Sequence, residues 1–221
     1  MIELINQLSG IGIALILGIW AFRYMNAVYR IFFYQLLVFS IILAASYFVP
    51  SVSSAQYNNQ WLYNLSMPLE TFFLSWAAYE YFKFSKQKYL VGVGYCLFMA
   101  ALLIEIYAKG FFVFSNHGYI AESVLLLLLY LLVLYNQLTK ENNAWKRSPE
   151  VWISIGIVLY FGGVVPYLSF INYLQEIHSK VSHFLFRIII EGLSNLRYLL
   201  LAAGFWLIRR NADARTTVVN E

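Results

Sequence analysis

The chain has 221 residues, 61% of them hydrophobic and 12% charged, with 15 Lys and Arg against 11 Asp and Glu and a net charge of +4. A soluble domain is roughly 45–50% apolar and about 25% charged, so this chain has more apolar surface than one core can hide, and the surplus has to face lipid. Its one cysteine excludes an internal disulfide and a multi-cysteine metal site, and basic residues that lie mostly in short breaks between apolar runs argue against a nucleic-acid partner.

The chain opens on Met1, Ile2 and Glu3, an acidic start with no small-residue cleavage site before Arg23, so the first apolar run is expected to stay as an anchor. A membrane helix needs about 20 mostly apolar residues to cross a hydrocarbon core of about 30 Å. Seven stretches qualify: residues 4–24, 29–49, 60–82, 89–108, 119–138, 151–174 and 184–207. The predicted fold is therefore all-α, a polytopic membrane domain over residues 1–210 followed by a short polar tail, 211–221. Basic residues alternate between the breaks. Arg23 and Arg30 follow the first span, Lys83, Lys86 and Lys88 the third, Lys140, Lys146 and Arg147 the fifth, and Arg209, Arg210 and Arg215 the seventh. The intervening loops carry no basic residue in 50–59, then Lys109, then Lys180. Positive charge stays inside, which predicts an outer N-terminus and a cytoplasmic C-terminus.

Ionisable groups within the spans are the candidates for function, because a central charge costs roughly 2.5–3.5 kcal/mol on insertion scales and usually faces the bundle interior. They are Glu70, Glu105, Glu122, Arg187, Glu191 and Arg197. Arg187, Glu191, Asn195 and Tyr198 share one face of a straight helix, which predicts an outward-opening polar pocket against the third, fourth or fifth helix. Arg197 lies on another face, and Glu70 is its expected partner by depth, with Tyr63 one heptad above Glu70 and Asn195 within reach. The candidate ligand-binding set is thus Tyr63, Glu70, Glu105, Glu122, Arg187, Glu191, Asn195 and Arg197. Structural readings stand beside it. Glu105 has Lys109 four residues on, and Glu122 falls in the first turn of its predicted helix, where a carboxylate favours the dipole. Pro68, beside Glu70, and Gly162, Gly163 and Pro166 permit kinks. His178 and His183 lie about 140° apart on a helix and, with His117, match no zinc spacing, so no metal or cofactor is expected.

Met67 to Phe73 is similar to a short motif of membrane lycopene cyclases, a match of a few residues only. Tyr63-Asn64 with Glu70, Trp152-Ile153 with Gly156 and Tyr160-Phe161, and Asn195 with Tyr198 together resemble the small seven-helix inner-membrane proteins of Bacteroidota. That resemblance implies a bacterial inner-membrane location and no particular activity. The cytoplasmic loops are too short for an enzyme domain. The expected function is a non-catalytic sensor or signalling module, with the bilayer, a signalling partner and a small-molecule or lipid ligand as its contacts. The alternatives are a small proton- or ion-coupled transporter or channel, then a lipid or isoprenoid enzyme using a glutamate.

Overall fold

The apolar runs form helices, and the polar breaks end them. The computed structural model describes residues 2–48, 60–140, 147–177, 185 and 187–219. Seven α-helices lie among them: α1 Ile2–Ala21, α2 Ala27–Phe48, α3 Gln60–Tyr81, α4 Lys88–Lys109, α5 Asn116–Lys140, α6 Pro149–Ile177 and α7 Leu193–Val219. A 3-10 turn, Phe22–Tyr24, follows α1, and a π turn, Arg187–Gly192, leads into α7. Residues 211–219 of the expected tail continue α7 as helix.

Local chemistry sets several ends. Asn26 starts α2, its side-chain oxygen accepting from the Tyr29 amide at 3.1 Å, which occupies a donor that a helix start otherwise leaves free. Gly110 ends α4 at φ +90°, a conformation that suits glycine, and its amide closes the last turn on the Ile106 carbonyl at 2.8 Å.

Among the described residues, four helical segments are long and apolar enough to cross a membrane: 27–45, 88–109, 116–139 and 149–170. The all-α architecture and these helices support a membrane protein. Strongly exposed Ile16, Ile41, Val93, Leu97, Ile104 and Leu128 give the bundle an apolar exterior, as lipid contact requires. In α3 the apolar run is interrupted by Asn64, Ser66, Glu70, Thr71, Ser75 and Glu80, and all of these but Ser66 and Glu80 are buried. Polarity on α3 therefore serves the interior.

The helices close into a ring in chain order, with the heaviest packing between α5 and α6, α6 and α7, and α7 and α1; α3 also touches α5, which leaves α4 at the periphery. Leu36, Leu74, Leu126, Tyr130, Phe161 and Phe205 fill the centre. Small residues permit the closest approaches. A Cβ at Gly156 of α6 would lie 3.2–3.3 Å from the α7 backbone at Arg197, so glycine there lets the two helices meet beside the candidate site.

Candidate functional site

A basic side chain inside an apolar bundle is stable only when its charge is answered nearby. Arg197, 6% exposed, reaches across the ring from α7 and donates from Nη1 to Glu70 Oε1 of α3 at 2.6 Å. Its Nη2 donates to the Tyr198 hydroxyl at 3.0 Å. The guanidinium lies over the rings of Tyr160 at 4.5 Å, Tyr198 at 4.9 Å and Phe161 at 5.7 Å, which adds cation–π attraction. Gln35 of α2 donates to the same Glu70 oxygen at 3.3 Å. One guanidinium thus ties α2, α3, α6 and α7 together. The partnership expected for Glu70 and Arg197 by depth is present.

A second carboxylate lies close by. Glu122 of α5 is 0% exposed, and its Oε1 is 2.8 Å from the Thr71 hydroxyl of α3. Its Oε2 has no hydrogen-bond partner among the described residues. Above it the Tyr119 and Tyr160 hydroxyls meet at 2.6 Å, linking α5 to α6. Glu122 is not in the first turn of its helix, as the sequence suggested. The helix begins earlier, at Asn116, because Glu105 caps it: that carboxylate accepts from the Gly118 amide at 2.7 Å, from the Ser115 hydroxyl, from His117 Nδ1 at 3.0 Å and from Lys109 Nζ at 2.6 Å. An anion at a helix N-terminus is stabilised by the free amides there. Glu105 is therefore occupied in joining α4 to α5, away from the Arg197 cluster.

Asn64 completes this joint. Its Nδ2 donates to the Phe111 and Val113 carbonyls, each at 2.7 Å, and its Oδ1 accepts from the Ser115 amide at 2.9 Å. Tyr63, 58% exposed, turns away from Glu70 and sets its ring edge-on to Phe114.

The face expected to join Arg187, Glu191, Asn195 and Tyr198 is interrupted. The π turn Arg187–Gly192 adds a residue to the local repeat, so straight-helix spacing does not carry from Arg187 and Glu191 into α7. Glu191 is half-buried in that turn. Asn195 packs against Gly10 of α1, so closely that a Cβ at Gly10 would collide with it, and its Oδ1 is buried with no partner among the described residues. It does not reach Glu70, whose hydrogen-bond partners are Gln35 and Arg197. The Arg187 side chain, His178 and His183 lie outside the described residues.

The void beside Arg197, bounded also by Gln35 and Tyr198, measures about 10 Å³, room for one water at most. A cavity of about 500 Å³ opens elsewhere, where α2 and α6 begin and α7 runs out, lined by Tyr24, Asn26, Tyr29, Arg147, Glu150 and Asn211 among others. There the Tyr29 hydroxyl donates to Glu150 Oε1, and Ser148 donates to Oε2 at 2.8 Å.

Gln35, Thr71, Tyr119 and Tyr160 were not singled out as site residues from the sequence. The signal was present: a polar or hydroxylated residue within an otherwise apolar span needs an internal partner. Among the described residues no group of three His, Cys, Asp or Glu is placed to hold a metal. No family model, no curated protein and no solved structure matches the chain.

Proposed function

We propose that the protein is a non-catalytic signalling module of the bacterial inner membrane, crossing it seven times with its N-terminus outside. The alternation of basic loops supports the orientation. The observation that carries the functional reading is the Glu70–Arg197 pair, closed from solvent and bonded to groups on four helices. Buried polar networks of this kind fix one arrangement of a bundle, and a change in their charge favours another. A void of about 10 Å³ leaves no room there for an organic substrate. In the proposed orientation the cavity of about 500 Å³ faces the cytoplasm, where a partner would read a change in the positions of α2, α6 and α7.

Spin labels at Phe84, in the α3–α4 turn, and Arg147, at the start of α6, test this reading. A signalling module predicts that Arg197→Gln alters the distance distribution between the labels. An unchanged distribution, with a pH-gradient-driven flux in proteoliposomes, would refute it in favour of a proton-coupled transporter. That second reading is favoured by the buried, half-partnered carboxyl of Glu122.

A further inference from the structure

Among the described residues, two carboxylates, Glu70 and Glu122, share the centre of the bundle with one guanidinium, that of Arg197. Glu70 uses it directly, at 2.6 Å. Among the described residues, the other titratable groups near the centre are Tyr160 of α6, Tyr198 of α7, and Tyr119 and Tyr130 of α5. None of these supplies a second positive charge. On α4, Glu105 is held in the outer cap with Lys109 and His117. Among the described residues, charge balance at the centre is therefore short by one positive unit if both carboxyls are ionised, and an unanswered buried charge is expensive.

The hydrogen bonds around Thr71 show where the missing unit sits. Its hydroxyl oxygen is 2.9 Å from the Met67 carbonyl and 2.8 Å from Glu122 Oε1. A threonine hydroxyl has one proton to donate and lone pairs to accept with. The Met67 carbonyl and an ionised Glu122 are both acceptors only, so one proton would have to serve two short contacts. A proton on Glu122 Oε1 resolves this. Glu122 then donates to Thr71, and Thr71 donates to the Met67 carbonyl. Oε2 is left as a neutral carbonyl oxygen, for which lacking a partner costs far less than it does for a carboxylate.

We propose that Glu122 is a proton-binding site, its proton held on Oε1 against Thr71 at the α3–α5 contact. The proton is the ligand of the central network. Its departure would place a second negative charge beside Glu70 and set two carboxylates in competition for Arg197. This deepens the signalling reading by naming what the network responds to.

Infrared spectroscopy of the full chain in lipid nanodiscs tests it. At neutral pH the wild type should show the C=O stretch of a protonated carboxyl. The band should be lost in Glu122→Gln and kept in Glu105→Gln. Thr71→Val, which removes the acceptor, should keep the band and shift its frequency, so the test holds even where Glu122→Gln fails to fold. Absence of the band in the wild type, an unmoved band in Thr71→Val, or a band that persists in Glu122→Gln would overturn the proposal. So would loss of the band on adding sodium at fixed pH, since the site would then hold a metal cation. The band needs no partner for its detection. Its absence would leave the signalling reading standing, and labels at Phe84 and Arg147 that do not respond to Arg197→Gln would leave the band standing.

Discussion

Arg197→Gln should destabilise the bundle by about 3–5 kcal/mol, the cost of removing one member of a buried ion pair. The structure accounts for the size of the effect. Glu70 and Arg197 are closed from solvent with 2.6 Å between Nη1 and Oε1, and charges about 4 Å apart at an effective dielectric of about 20 attract by about 4 kcal/mol. The variant also loses the bond to Tyr198 and the contacts with the Tyr160 and Phe161 rings, while Glu70 keeps only the 3.3 Å bond from Gln35. For a domain of this size each kcal/mol moves the melting temperature by about 2–4 °C, so thermal melts in detergent should fall by about 6–20 °C. The decisive comparison is the double variant Glu70→Gln/Arg197→Gln. It removes both charges and leaves two amides, so it should melt above Arg197→Gln alone. A double variant that melts below the single one would refute the idea that Glu70 is the group Arg197 stabilises.

Further outcomes follow from other contacts. Asn64→Ala breaks three bonds to the α4–α5 loop, so at about 0.5–1.5 kcal/mol each it should lower stability by about 1.5–4.5 kcal/mol, read as faster amide exchange across 110–118. Glu105→Ala removes the α5 cap and should cost about 0.5–2 kcal/mol in melts. A Cβ at Gly18 would sit 2.6 Å from the Phe33 ring and 3.1 Å from Phe205, whereas one at Gly12 meets nothing within 4 Å. Gly18→Ala should therefore destabilise by about 1–3 kcal/mol, and Gly12→Ala should be neutral or stabilising by up to about 1 kcal/mol; similar melts for the two would contradict the α1–α2–α7 packing.

The helices were legible in the sequence because a spanning helix needs a long apolar run, and each predicted stretch contains or overlaps an observed helix. The partnership of Glu70 with Arg197 was legible because burying a lone charge is costly and the two lie at similar depth. The π turn was not. It leaves no mark in residue spacing, and it removes Glu191 from the stripe assumed with Asn195. Nor was the cap by Glu105, since a carboxylate from α4 fixed the start of α5 across an intervening loop, and that moved Glu122 from the first turn to the second, where it is fully buried. Tyr160 was visible in the Gly156 to Tyr160 spacing. Its purpose needed three dimensions: Gly156 admits the α7 backbone and Tyr160 receives the guanidinium one turn on.

The proposed proton on Glu122 and the proposed cytoplasmic face of the cavity of about 500 Å³ both depend on the proposed topology, seven crossings with the N-terminus outside. Single cysteines at Phe84, fully exposed between α3 and α4, and at Val113, exposed between α4 and α5, test that topology in a Cys96→Ser background. A membrane-impermeant maleimide should label position 113 in spheroplasts and position 84 only after the membrane is opened. Labelling of both positions from the same side, or of 84 alone from outside, would contradict it.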